Sequence, residues 1–450
     1  MMANSYNKRY IASIVIEANT PLKVGSSDID MLQDSPVQKD WNELPMILGT
    51  SIAGVLRKEF SKDMADDIFG SDCSRFEDKK EKEQCLKNAK GSRIIISNAL
   101  LYDQDMKVIE HLKVNKSDFL KNFDNLPIRE HTAITDKGVA KETNKFDEEV
   151  VYKGAKFRFR IEFIADDNDE VNWQEILKAI NAKTFRLGGG STKGFGDIKV
   201  LNELSSYDVF DITSKEYREK SSSLNTTYSK SFPKKQKEIN YTTYTLKIKP
   251  DNFFMFGSGF GDDDANMTPV YEKIITWENN KGKFSNEQIL IPASSIKGAI
   301  SHRTTYHYNL QNKLFIGNNE AKESIKELFG EAKQSDDDLG CKGKVLFSDC
   351  FYKKADEKVF DHVSIDRFTG GAIDGALFQE KTISDNQKYS IEILLEKDIK
   401  DEYIKAFEKS LDDICSGMLP LGGATTKGHG VFSGKVFKDG VELKDENNTN

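Results

Sequence analysis

Two short stretches of the 450-residue chain carry residue types suited to holding phosphate. Leu187 to Ile198 reads LGGGSTKGFGDI, and Leu421 to Phe432 reads LGGATTKGHGVF. Gly188, Gly189, Gly190 and Gly194, and again Gly422, Gly423 and Gly428, leave backbone N–H groups unobstructed by side chains. Ser191, Thr192 and Lys193 in one loop, and Thr425, Thr426 and Lys427 in the other, add hydroxyls and an ammonium. In a Walker loop the lysine follows a glycine and the loop opens a helix. Here Lys193 precedes Gly194 and the loop follows a helical pattern, which disfavours a nucleotide triphosphatase. One glycine loop is usually only a turn; two copies with Thr-Lys-Gly at the same place ask for a shared ligand.

Other elements recur in the same order. LGTSIAGVLR from Leu48 returns as PASSIKGAIS from Pro292. HTAITDKGVA from His131 returns as HVSIDRFTGGA from His362, so the chain reads as a tandem duplication. Thr50-Ser51 and Ser294-Ser295 precede apolar residues at helical spacing. Thr50 and Ser294 are therefore the expected N-caps, with capping alone and anion binding at the helix start both open as roles. Beside these motifs stand Arg57, Lys193, Lys297, Arg303 and Lys427, a basic line suited to an extended phosphate backbone met once per domain. A net charge of −8 makes any polyanion site local. His302 and His307 are five apart, so they lack the i, i+4 spacing of a metal-binding helix pair.

The elements that must position these residues follow from periodicity. Each half opens with an alternating strand, Tyr10 to Glu17 or Tyr244 to Lys249. Later strands run through Phe157 to Phe163 and Ile391 to Leu395 with one buried face, each followed by a helical stripe: Trp173, Ile176, Leu177 and Ile180, or Ile404, Phe407, Leu411 and Ile414. The order strand, helix, strand, strand, helix, strand predicts an α+β chain of two ferredoxin-like (RRM-like) domains, each an antiparallel sheet with helices on one face and inserted loop segments. The expected divisions are 1–215, a polar linker at 216–240, and 241–450. SDCSRFEDKKEKEQCLKNAKGS reads as a surface insertion, and the five scattered cysteines as reduced thiols. No run is apolar enough for a membrane helix or a secretory signal, so a cytoplasmic location without membrane contact is expected.

PASSIKGAI, HVSIDRFTGGAIDGALFQE and LGGATTKGHG resemble segments of the RAMP superfamily of CRISPR-associated proteins, and are most similar to backbone subunits of type III effector complexes. The first half is more diverged, with Ala53 where the second has Lys297. The resemblance implies partners: guide RNA held in a basic groove, single-stranded target RNA paired to it, and other RAMP and large subunits. It also implies a projecting thumb hairpin in each half, built around His131 with Phe146 and His362 with Phe378.

Catalytic members carry an aspartate before Ser-Pro-Val, which Asp34 matches in LQDSPVQKD. The resemblance thus implies an endoribonuclease in which Asp34 holds a divalent cation, Mg2+, or assists attack by a ribose 2′-hydroxyl. Read by sequence, Met267 takes that place in the second half. The neighbouring Asp262, Asp263 and Asp264 either reach a second scissile bond or form a solvated acidic loop. A guide-binding scaffold without cleavage, and a stand-alone RNA-processing nuclease, are the alternatives.

Overall fold

The computed structural model describes residues 6–26, 35–76, 78–113, 115–135, 140–234, 240–315, 320–331 and 340–443. The first half contains β1 (Lys8–Ala18), α1 (Gly49–Arg57), β2 (Ile94–Ile96), a hairpin of β3 (Ile128–Ile134) and β4 (Ala140–Glu149), β5 (Lys156–Ala165), α2 (Glu170–Ile180), β6 (Ile198–Val200), β7 (Ser206–Asp211) and β8 (Lys230–Ser231). The second repeats this plan with β9 (Tyr241–Pro250), a hairpin of β10 (Ile275–Glu278) and β11 (Lys281–Phe284), α3 (Ala293–Gln311), β12 (Val345–Phe347), a hairpin of β13 (Asp356–Ile365) and β14 (Ala372–Ser384), β15 (Tyr389–Glu396), α4 (Asp401–Cys415), β16 (Phe432–Lys438) and β17 (Val441–Glu442).

The main sheets run β2-β5-β1-β7-β8 and β12-β15-β9-β16-β17. All their pairings are antiparallel, with the first strand of each half at the centre. This is the ferredoxin-like order, twice. Tyr10, Ala12, Ile14 and Ile16 of β1 pack with Ile52 and Leu56 of α1 and Trp173, Ile176, Leu177 and Ile180 of α2. Tyr244, Leu246 and Ile248 pack likewise with Ile296 and Ile300 of α3 and Phe407, Leu411 and Ile414 of α4.

Four features depart from the sequence reading. β1 is buried on both faces, because Val15 joins Tyr102, Val108, Leu201 and Leu224 in a second small cluster. The polar segment expected as a linker lies along this side: Tyr217 donates to Glu162 at 3.0 Å, Arg160 reaches the Ser222 carbonyl at 3.1 Å, and β8 pairs with β7. Its described part, residues 216–234, is a strap over the first sheet. Cys73 and Cys85, expected as thiols, form a disulfide, since the exposed helix Lys79–Lys87 turns back to place their Cα atoms 5.7 Å apart. Finally, α1 and α3 are preceded by Leu48 and Pro292 without side-chain caps, so Thr50 and Ser294 sit inside the first turn. The capping oxygen comes from far along the chain: Asn98 Oδ1 accepts from Gly49 N at 3.0 Å, and Asp349 Oδ1 accepts from Ala293 N at 2.8 Å.

The halves are joined through an ionic and an apolar contact. Arg129 of β3, buried, binds both Glu272 (2.9 Å from Nη2 to Oε2) and Asp349. These carboxylates hold its guanidinium well above its ordinary value against the opposing effect of burial. Arg186 donates to the Phe347 carbonyl and to Ser348 Oγ at 2.8 Å. Beside it Gly194, at φ +117°, bridges Ser348; a Cβ there would lie 2.3 Å from Asp349 Oδ1. The β10–β11 hairpin meanwhile reaches into the first half. Trp277 Nε1 donates to the Gly154 carbonyl at 2.8 Å, and Phe284 packs on Phe119, Phe123 and Tyr152.

Candidate RNA-binding site

Each glycine loop is built onto the segment that follows its half's first strand. Gly189 N donates to the Lys23 carbonyl at 2.8 Å and Gly423 N to the Met255 carbonyl at 2.7 Å; Gly196 and Gly430 donate in the same way to Pro21 and Phe253. Gly188 and Gly422, with φ of +85° and +90°, each place a Cβ position 2.3 Å from those carbonyl oxygens, so only glycine fits. The loop amides of Leu187, Gly189, Lys193 and Gly196 are thus spent on holding the loop. Beside the remaining loop amides, side chains are placed to meet an anion.

Those side chains gather at the foot of each projecting hairpin. In the first half the His131 ring stacks on Phe146 at 5.1 Å between centroids, and Lys193 Nζ lies 5.6 Å from the other partner of this stack, the Phe146 ring. In the second, His362 stacks on Phe378 at 4.9 Å and Lys427 Nζ sits 4.4 Å from that ring. Beneath each phenylalanine, two residues on, is a buried carboxylate that the sequence reading missed: Glu148 and Glu380. His131 Nε2 is 3.2 Å from Glu148 Oε2, within ion-pair distance though not aligned as a hydrogen bond, and Lys23 pairs with the other oxygen. Burial alone would raise the Glu148 carboxyl, but His131 and Lys23 hold it at about 2. Glu380 takes Lys427 at 2.7 Å on one oxygen, with His362 at 2.9 Å and His429 at 3.0 Å on the other. Burial opposes ionisation there too, and Lys427 and His362 outweigh it. The repeated Phe-x-Glu after each histidine was the available signal. Phe146 and Phe378 therefore belong to the hairpin foot, packed against histidine and lysine; Phe368, 99% exposed, lies at the second hairpin's tip.

The expected basic line is only partly assembled. Lys297 of α3 crosses to the first half's loop and donates to Thr192 Oγ1 at 3.1 Å. Burial, and then the neighbouring Lys193, push its ammonium down to about 8. Ser191, Thr192, Lys193 and Lys297 thus converge at the joint. Arg57 instead binds Asp66 and the Gly70 carbonyl, and Arg303 shares Asp413 with His307, so both arginines are turned into helix packing. Ser51 and Ser295 lie in the first turns of α1 and α3. Thr425, Thr426 and Lys427 form a single 3-10 turn closed by Gly428.

Asp34 lies outside the described residues. The backbone pairings of its described neighbours set the register between the two halves. Glu149 N donates to the Ser35 carbonyl (3.3 Å) and its repeat equivalent Lys381 N donates to the Met267 carbonyl (2.8 Å). Ser26 to Pro36 and Ser258 to Thr268 repeat the same pairing. Ser35 thus corresponds to Met267, and the position before it to Asn266, one residue from the alignment by Ser/Thr-Pro-Val. Asn266 Oδ1 accepts from Gln379 N at 2.8 Å. Asp262 accepts from Asp264 N and Ala265 N, and Lys381 pairs with both Asp262 and Asp264. That lysine lowers the Asp262 carboxyl further. Asp263 is exposed. Among the described residues no group of three histidines, cysteines or carboxylates is placed to hold a metal ion. Asp262 and Asp264 are matched with Lys381, which leaves Asp263 as the acid of this loop facing solvent.

Tandem ferredoxin-like domains with a glycine loop and a hairpin foot repeated in register define a duplicated α+β protein. A family model supplies the narrower class: that of the RAMP superfamily matches residues 15–199 and 255–433, once per half. The chain belongs to the RAMP superfamily, as a fused double member of this CRISPR-associated, RNA-binding family. No curated protein matches the chain. Among the described residues, no helix is long and apolar enough to cross a membrane.

Proposed function

We propose that the chain is a backbone subunit of a type III CRISPR ribonucleoprotein that holds guide RNA and its target duplex, and that its first half cuts target RNA once, at Asp34. The observation that carries the binding reading is the repeated lysine, histidine and phenylalanine over a buried glutamate at each hairpin foot, next to a glycine loop. Two such feet on one chain suit a backbone gripped at regular intervals.

The cleavage reading rests on Asp-Ser-Pro-Val. In it Asp34 assists attack of a 2′-hydroxyl on its own phosphodiester: the O–P bond forms, the 5′-oxygen leaves, and a 2′,3′-cyclic phosphate remains. Mg2+ dependence belongs to this proposal through Asp34 alone. The second half is read as non-cleaving, because Lys381 occupies Asp262 and Asp264. In a reconstituted complex, Asp34→Ala keeps target binding and loses one cut, and EDTA removes the same cut. An unchanged fragment pattern would establish the scaffold reading instead. Cleavage of repeat RNA by the isolated chain would establish a stand-alone nuclease.

A further inference from the structure

The disulfide of Cys73 and Cys85 joins two points of a single surface excursion, Asp72 to Ala89, rather than two parts of the core. The neck of that excursion is closed without it. Ser71 N donates to the Lys90 carbonyl at 3.0 Å, and Lys90 N donates back to Ser71 Oγ at 3.0 Å. Gly70, at φ +86°, packs so closely there that a Cβ would lie 2.9 Å from the Lys90 carbonyl oxygen. Past the neck, the helix Lys79–Lys87 buries none of its residues. Asp78 caps it, accepting from Lys80 N at 2.8 Å and Glu81 N at 3.0 Å. A helix of 9 residues with a cap and no buried face is marginal in water, short of the roughly 12–15 residues an isolated helix needs. Cys85 on this helix is tied to Cys73, which is 7% exposed, so the bond draws the helix back onto the first half.

The other cysteines are thiols: Cys341 is exposed, Cys350 half-buried and Cys415 buried. Burial pushes Cys350 and Cys415 up to about 12, so neither supplies a thiolate near neutrality. A chain that keeps these thiols and forms its bond on a segment the core does not need has the layout of a reversible pair, not of a disulfide framework. Cys85, half-buried, is the more accessible sulfur. We propose that Cys73 and Cys85 are a redox-active pair that a soluble dithiol opens and a peroxide closes, and that the bond decides whether the helix Lys79–Lys87 is ordered. In opening, a thiolate of the dithiol attacks Cys85 Sγ, the Cys73–Cys85 bond breaks, and Cys73 leaves as a thiolate that takes up a proton. The second thiol of the reagent then attacks its partner sulfur in the mixed disulfide, which frees Cys85 and leaves the reagent as a cyclic disulfide. In closing, the Cys85 thiolate attacks a peroxide oxygen and the O–O bond breaks, giving a sulfenic acid and hydroxide. Cys73 attacks that sulfur and expels the second oxygen, so two thiols and one hydrogen peroxide become a disulfide and two waters. The neck bonds hold in both states, so the change stays within the excursion.

The test uses the full chain with Cys341→Ser, which removes the exposed thiol, and neither RNA nor denaturant. After hydrogen peroxide, a maleimide labels neither cysteine of the pair, and trypsin spares Lys79, Lys80, Lys82 and Lys87. After dithiothreitol both cysteines label, and cutting within this helix rises at least about tenfold while cutting elsewhere stays level. A second round of each reagent restores each pattern. Cys85→Ser, added to the same chain, is cut at the faster rate after either reagent. A bond that opens only when the whole chain is denatured, equal cutting in the two states, or a Cys85→Ser chain as resistant as the oxidised one would each overturn the proposal. None of these readouts depends on whether the chain binds or cuts RNA.

Discussion

The two halves share a backbone frame down to single hydrogen bonds, yet they use it differently. Lys427 is matched by the buried Glu380, whereas Lys193 has no ion pair among the described residues and stands beside a second ammonium, Lys297. At the next strand position the first half has Glu149, which accepts from Val37 N at 2.8 Å and lies 3.6 Å from Lys39. The second half has Lys381, which turns to the acids of the preceding loop. Duplication thus preserved the scaffold and let the charges at its working surface drift apart.

Substitutions at paired positions test how far this contrast goes. Arg129 is the only member of its repeat pair in the ionic joint, so Arg129→Met, which leaves Asp349 and Glu272 buried without a cation, should cost about 3–5 kcal/mol in chemical denaturation. Gly194→Ala and Gly428→Ala both force alanine into positive φ, at about 1–2 kcal/mol each. Only the first adds a collision with Asp349 and Ala293, a further ~1–3 kcal/mol; equal thermal shifts would deny the asymmetry of the joint. In filter binding against guide-length RNA, Lys193→Ala should reduce the salt slope by about one ion, and Lys427→Ala by less, because Glu380 already screens it.

The smallest effect is a pH dependence. Only protonated Lys297 attracts phosphate, and bound phosphate raises its pKa, so affinity is level below about pH 8 and falls as pH rises above it. Lys297→Ala should flatten that fall.

Much of the architecture was legible because it is local. The alternation in β1 and β9 and the apolar stripes of α2 and α4 reflect strand and helix geometry acting on neighbouring residues. What escaped is made by distant partners. Asn98 and Asp349 cap helices 49 and 56 residues upstream, which no N-cap rule finds. Glu148 and Glu380 carry a residue type that normally stays in water, and only the hairpin register places them under a histidine and beside a loop lysine. The strap was read as a linker because its composition is polar; it lies against the sheet through hydrogen bonds to Glu162, Arg160 and Glu110. Of the basic residues, the glycine-loop lysines and Lys297 lie near one another or the hairpin feet, while the two arginines on the helices found carboxylates first.

The β10–β11 hairpin separates how the halves are threaded from how they are held. The connecting peptide, as far as residue 234, runs over the first sheet, but Trp277, Phe284 and the Arg129 ion cluster fasten the halves elsewhere. A protease nick at exposed Lys234 therefore yields two fragments that still travel as one particle.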